Sequence, residues 1–85
     1  MQEFTFTVKD PSGIHARPAG ILVKEACKYT SNIIVTHNDK VADAKRIFSV
    51  MGIGAKCGDL LTISISGEDE VSAKANIEKL LRDYL

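Results

Sequence analysis

Leu60-Leu61-Thr62-Ile63-Ser64-Ile65-Ser66 alternates apolar and hydroxyl side chains along its length. Such a period of two predicts a strand whose residues 61, 63 and 65 face a core while the residues between them face water. Residues 4–8 and 32–37 repeat the pattern. Sheets with one solvated face are mostly antiparallel, and here helices would pack on the apolar side.

Three other segments have a helical pattern instead. Apolar residues recur with the period of an amphipathic helix over residues 16–29, and Pro18 falls in the first turn, where proline is tolerated. A short helix is predicted over residues 46–52, and a last one follows residues 67–70 and runs to Leu85. The predicted inward stripes are Ala19, Leu22, Val23 and Ala26 for the first helix and Ala73, Ile77, Leu80, Leu81 and Tyr84 for the last.

A hairpin completes the predicted sheet. His37-Asn38-Asp39-Lys40 is typical of a tight turn, because Asn and Asp tolerate left-handed backbone conformations. Residues 40–44 would form a weak third strand at an edge. The order β-α-β-β-α-β-α predicts an α+β fold, an open-faced two-layer sandwich in which three helices cover one face of a four-stranded antiparallel sheet. We expect a single domain over residues 1–85.

Size and charge exclude several function classes. Eighty-five residues leave little room for a deep substrate cleft, and 11 basic residues balanced by 11 acidic ones argue against a nucleic-acid binder. No apolar run approaches the roughly 20 residues that span a bilayer, and no signal peptide is evident. Cys27 and Cys57 lack metal-site spacing. A disulfide would suit a secreted chain, but the compartment that we expect favours two reduced, partly buried thiols. We therefore expect a cytoplasmic monomer without metal, cofactor or membrane insertion.

Residues 12–19, Ser-Gly-Ile-His-Ala-Arg-Pro-Ala, place a histidine where a turn becomes a helix. A neutral imidazole is a nucleophile that needs no separate base. The helix N-terminus and the Arg17 guanidinium both disfavour the imidazolium, and both are suited to phosphate oxygens. His15 is therefore a candidate phosphoryl acceptor. A lone histidine at this position is, however, more often only a partly exposed residue.

This segment resembles the active centre of the HPr family, the histidine-containing phosphocarriers of the bacterial phosphoenolpyruvate-dependent sugar phosphotransferase system. The resemblance covers essentially the whole chain, including the element order and residues 47–51 and 61–64. It implies a carrier rather than an enzyme. Such a carrier would accept a phosphoryl group from enzyme I and pass it to sugar-specific enzyme IIA proteins or domains.

The resemblance also implies roles for particular residues. His15 would be phosphorylated on ring Nδ1, and Arg17 would neutralise phosphate charge during both transfers. The phosphate-binding group would comprise Ser12, Ala16, Arg17 and Pro18. The docking surface would combine Gly20, Lys24 and Cys27 of the first helix with Ile47, Phe48 and Met51 of the second. Residues 44–59 hold three basic residues against Asp59 alone, so a docking face there would be positive.

Arg46 departs from the pattern of the Gram-positive relatives, in which a serine at this position is phosphorylated by a regulatory kinase. Arginine cannot accept phosphate. Either this chain lacks that regulation, which we favour, or Ser49 substitutes for the missing serine.

Two other function classes stay open. A non-catalytic, HPr-like regulatory binding module would bind its partners equally well without His15. A small enzyme of the acylphosphatase type would need a positioned catalytic amide, for which the chain has no clear equivalent. The second histidine, His37, is expected to end a strand and to bind no metal.

Overall fold

The computed structural model describes all residues from 1 to 85 and confirms the predicted α+β sandwich. Its strands are β1 (Gln2–Thr7), β2 (Asn32–His37), β3 (Lys40–Asp43) and β4 (Leu60–Ser66). They form one antiparallel sheet in the order β1-β4-β2-β3. Ile63 of β4 lies opposite Phe4 on one side and Val35 on the other, so β4 is central. The weak strand β3 is an edge, as expected.

Three helices cover one face of this sheet: α1 (Ala16–Ala26), α2 (Ile47–Gly52) and α3 (Glu70–Tyr84). The alternation in the strands separates a buried face from one that faces water. A single apolar core joins the sheet to the helices. Its largest fully buried side chains include Leu22, Ile33, Leu61, Ile63, Ile65, Ile77 and Leu81. The inward positions predicted for β4 are therefore confirmed.

Asn38 and Asp39 form the two-residue turn between β2 and β3. Asn38 has a φ of 55°, a left-handed conformation that asparagine tolerates. His37 and Lys40 pair directly on either side of the turn. The hairpin is thus built as its turn residues predict.

Helix α1 ends at Ala26, three residues earlier than predicted. The N–H groups of Lys28 and Tyr29 donate to the carbonyls of Glu25 and Ala26, three residues back, so the chain tightens into a turn. The Tyr29 hydroxyl donates to Glu25 Oε2 at 2.8 Å and accepts from the Asn76 amide at 2.6 Å. These bonds hold the turn that follows α1 against α3.

Tyr84 was predicted to join the inward stripe of α3, and that prediction is wrong. Its side chain is half exposed, whereas Leu85, just past the helix, is buried. Ala73, Ile77, Leu81 and Leu85 form a row four residues apart, which follows one face of the helix into the core. The aromatic ring of Tyr84 is left beside the N-terminus of α1.

Asp69 is the N-cap residue of α3, but its side chain makes no capping hydrogen bond. Its carboxylate instead accepts hydrogen bonds from the Ser31 hydroxyl, from the Thr30 N–H at 2.9 Å and from the Ser31 N–H at 3.0 Å. These bonds, the Ser31 hydroxyl foremost, lower the pKa of Asp69 from an ordinary 3.8 to about 2. Asp69 therefore ties the start of α3 to the segment before β2.

This arrangement predicts a loss of stability in acid. Because the pKa of Asp69 is lower in the folded chain than in the unfolded one, its ionised carboxylate stabilises the fold above about pH 4. That contribution should disappear as the pH falls towards 2. Urea denaturation of Asp69→Asn should show a shallower fall in the free energy of unfolding between these pH values. Glu68→Gln, which removes the neighbouring unbonded carboxylate, should follow the parent chain; equal slopes for all three proteins would contradict the prediction.

The helices of this fold are too short and too polar to cross a bilayer.

Candidate functional site

A tight turn before α1 sets the position of His15. Gly13 has a φ of 68°, and its N–H donates to the Asp10 carbonyl at 2.9 Å. Ile14 is buried, and its N–H donates to the Ala55 carbonyl at 3.0 Å. The residue before His15 is therefore held both by the core and by the loop that leads to β4.

His15 is the N-cap residue of α1. Its backbone is extended, with φ −126° and ψ −174°, and its carbonyl accepts the N–H of Ala19 at 3.0 Å. The imidazole makes no capping hydrogen bond, and 44% of the side chain is exposed. The prediction that the helix begins next to His15 is confirmed. Its ring is accessible to a partner.

Groups suited to anions lie beside this ring. The N–H groups of Ala16 and Arg17 belong to the first helical turn, where no intrahelical acceptor exists. Arg17 is exposed and makes no ion pair, so its guanidinium is free for an incoming anion. Pro18 is buried and fixes φ in the same turn.

The ring opens onto a shallow depression of about 280 Å³. His15, Arg17 and Pro18 share it, whereas Ser12 and Ala16 belong to the same segment of the chain but lie outside its lining. The depression is lined by Asp10, His15, Arg17, Pro18, Ile21, Asp83 and Tyr84. The structure therefore brings together the central residues of the predicted site.

Sequence reasoning missed three polar residues of this lining. Asp10 Oδ2 lies 3.7 Å from His15 Nε2 and places a negative charge beside the ring. Asp83 and Tyr84 come from the last turn of α3, far away in the sequence. Asp10 could have been suspected from its nearness in the chain. Nothing in the sequence pattern indicated Asp83, and Tyr84 was assigned to the core.

The predicted docking surface spans two helices that pack against each other, α1 and α2. Gly20 and Lys24 lie on α1, Cys27 is the C-cap residue of α1, and Ile47, Phe48 and Met51 lie on α2. A Cβ at Gly20 would stand 3.7 Å from Ile47 Cδ1, an ordinary van der Waals distance, so Gly20 lies where the two helices face each other. Ile47 is half-buried against the core, while Phe48 is 85% exposed and Met51 is 37% exposed. An apolar patch of this kind on a small chain is typical of a surface that meets partners.

Lys24 and Cys27 complete this surface at the C-terminal part of α1, and both are exposed. The prediction of partly buried thiols is wrong, since Cys57 is exposed as well and both cysteines are free. Cys27 Sγ lies 3.8 Å from the Lys45 carbonyl, and Cys57 Sγ lies 3.6 Å from the Lys9 carbonyl. Each cysteine lies in a turn at the surface, where its thiol is exposed.

Arg46 is the N-cap residue of α2, and its side chain makes no capping bond. Its Nε lies 3.8 Å from Asp43 Oδ2, an ion pair between largely exposed groups that contributes little. The Ser49 hydroxyl accepts the Asp43 N–H at 3.1 Å and is half-buried. The hydroxyl considered as a substitute for the missing serine is therefore already engaged in the fold.

His37 ends β2 and joins two loops. Its Nδ1 lies 3.1 Å from the Ile53 carbonyl and its Nε2 lies 3.0 Å from Asp59 Oδ2, with 12% of the side chain exposed. Both ring nitrogens are therefore engaged. No three His, Cys, Asp or Glu side chains in the chain are grouped closely enough to hold a metal ion.

Comparison with known proteins identifies the family to which the chain belongs. A family model described as the PTS HPr component phosphorylation site matches residues 2–83. The chain is 39% identical to the phosphocarrier protein HPr of Mycoplasma capricolum, over 98% of this chain and 93% of the relative. It is 43% identical to the HPr of Lysinibacillus sphaericus, over 98% and 94%. A solved histidine-containing phosphocarrier protein of Mycoplasma superposes with a TM-score of 0.94 at 38% identity, over 96% of this chain and 93% of that one.

Proposed function

The chain belongs to the PTS HPr family of phosphocarriers, and from this premise we propose that His15 accepts a phosphoryl group from phosphorylated enzyme I and delivers it to enzyme IIA proteins or domains. The observation that carries the proposal is the exposed imidazole of His15 at the N-terminus of α1, beside an unpaired Arg17. A single copy of the chain supplies the whole depression.

The geometry supports phosphoryl transfer in the following way. A lone pair of the His15 ring attacks phosphorus while the partner's group leaves in line with it. Arg17 and the free N–H groups of the first turn receive the negative charge that spreads over the phosphate oxygens. Because the depression is shallow and open, these groups hold the phosphoryl group without enclosing it. A second active site can therefore reach it and take it away.

An open site also favours a carrier over an enzyme that turns over its own substrate. An acylphosphatase-type enzyme would need an amide positioned to orient water. The polar residues that line the depression are Asp10, His15, Arg17, Asp83 and Tyr84, and none of them carries a side-chain amide. A regulatory binding module would make no use of an accessible imidazole beside a free guanidinium. Phosphotransfer accounts for both groups.

Mass spectrometry after incubation with phosphoenolpyruvate and enzyme I tests the proposal. We expect one added phosphate, labile in acid and stable in base, on a peptide containing His15. Phosphate on another residue would contradict the proposal. So would the absence of phosphate with an enzyme I preparation that charges the HPr of a related bacterium.

We propose further that serine regulation is absent. Arg46 offers no hydroxyl, and the Ser49 hydroxyl is half-buried and bonded to the Asp43 N–H. Incubation with a regulatory HPr kinase and ATP should therefore add no acid-stable phosphate. Such a phosphate on Ser49 would contradict this part of the proposal.

Phe48 provides a test of the docking surface. Because its side chain is 85% exposed, Phe48→Ala should change the free energy of unfolding by no more than about 0.5 kcal/mol. The loss of an apolar anchor should raise the KM for phosphorylation by enzyme I about tenfold, with kcat nearly unchanged.

Val71→Ala is the matched control, since Val71 is 68% exposed in the first turn of α3, at the end of the helix away from the depression. Its KM should equal that of the parent chain. Equal effects of the two substitutions would show that the patch around Phe48 has no special role in docking.

A further inference from the structure

Asp10 is the one carboxylate that the structure places in ion-pair distance of His15. Its Oδ2 lies 3.7 Å from His15 Nε2, on the other side of the ring from Nδ1. This separation is longer than a hydrogen bond, but hydrogen bonds at reacting groups are often loose before the partner binds. Both residues line the same depression.

Three backbone and side-chain bonds hold Asp10 in place. Its Oδ1 accepts the Ser12 N–H at 2.8 Å, and its carbonyl accepts the Gly13 N–H at 2.9 Å. Its own N–H donates to the backbone oxygen of Leu85 at 2.8 Å. One carboxylate oxygen is thus used to build the turn, and the fixed turn directs the other towards the imidazole.

We propose that Asp10 is a positioning residue for phosphoryl transfer, which holds the proton on Nε2 of His15 and balances the charge that the ring gains. The inference rests on the proposed function. With the proton on Nε2, the lone pair of Nδ1 is free to react. It forms the N–P bond as the bond from phosphorus to the donor's leaving atom breaks, and the donor keeps that electron pair.

The charge on the ring explains why a carboxylate is useful there. Because the Nε2 proton stays in place, the phosphorylated ring is an imidazolium with a positive charge next to Asp10. A fixed charge directed at one that develops during reaction stabilises the transition state. The same protonated ring is the better leaving group when the phosphoryl group departs. Asp10 therefore assists both acceptance and delivery.

The other charged and titratable groups around the ring act in different places. Arg17 of α1 offers its guanidinium to the phosphate oxygens, and Asp83 and Tyr84 of α3 line the depression without an ion pair to His15. Asp10 is the group that lies next to Nε2. The loss of its charge should therefore alter the protonation of the phosphorylated ring.

The lifetime of the phosphohistidine, followed without any partner protein, tests this inference. Phosphorylated parent chain and Asp10→Asn are separated from enzyme I, and hydrolysis is followed by mass spectrometry between pH 6 and 9. Asparagine keeps an oxygen for the Ser12 N–H, so the turn is retained and only the charge is lost. The protonated ring releases phosphate faster, and the loss of the Asp10 charge should leave less of the ring protonated. We therefore expect the phosphohistidine of Asp10→Asn to last about three times longer than that of the parent chain near pH 7.5, a factor that matches the loss of one half-exposed ion pair.

Asp43→Asn is a closely matched control. Asp43 Oδ1 accepts the N–H of Lys45, two residues on, at 2.9 Å, as Asp10 does with Ser12, but Asp43 lies outside the depression. Its phosphohistidine should decay like that of the parent chain. Identical decay in all three proteins would overturn the role of Asp10 but leave the proposed function intact. A parent chain that takes no phosphate on His15 would contradict the proposed function itself and this inference with it.

Discussion

Replacement of His15 by alanine should abolish phosphorylation by enzyme I and phosphoenolpyruvate. The imidazole is the one histidine ring in the depression, and the unpaired Arg17 guanidinium lines the same depression. Mass spectrometry should detect no acid-labile phosphate on the variant under conditions that fully charge the parent chain. The fold should be retained, since the ring makes no capping bond, and the free energy of unfolding should change by about 0.5 kcal/mol or less.

His37→Gln is the control for this result, because His37 is the other histidine of the chain. Its ring is nearly covered, and both of its nitrogens are engaged, with the Ile53 carbonyl and with Asp59. Neither ring nitrogen is therefore open to a partner. The variant should lose some stability but still accept one phosphate on His15. Phosphate retained by His15→Ala, or lost by His37→Gln, would contradict the assignment of the acceptor.

The sheet was predictable from the sequence because burial in a strand follows a period of two. Ile63 faces the core only if β4 keeps one register, and a shift by one residue would bury serines and threonines instead. The ends of the helices were less predictable. Nothing in residues 26–29 shows that hydrogen bonds to carbonyls three residues back will end α1 at Ala26.

Only the part of the site that is formed by consecutive residues was predictable from the sequence. His15 and Arg17 follow a turn and begin a helix, and both features are visible in eight consecutive residues. Asp83 and Tyr84 reach the depression because the end of α3 packs beside the start of α1, which depends on how the two helices cross the sheet. The sequence contains Asp10 as a turn residue, but only the folded turn shows that its second oxygen faces the ring.

Gly13→Ala should cause the largest loss of stability among these substitutions. A Cβ at Gly13 would stand 2.5 Å from the Ala55 carbonyl oxygen and 2.9 Å from Lys56 Cα. Both are backbone atoms, so no side chain can turn aside to make room. The φ of 68° adds strain for any residue with a Cβ. We expect a loss of about 3 kcal/mol in the free energy of unfolding, measured by urea denaturation, a large part of the stability of a small domain.

The same substitution should also slow phosphorylation, since the displaced loop carries the Ala55 carbonyl that accepts the Ile14 N–H just before His15. Gly54→Ala separates the two causes. Gly54 has a nearly equal φ of 65°, but a Cβ there meets nothing within 4 Å. It should cost only the strain of the left-handed backbone, about 1 kcal/mol, and leave the rate of phosphorylation unchanged. If the two variants lose equal stability, backbone strain alone explains the effect, and the contact between the turn and the loop does not position His15.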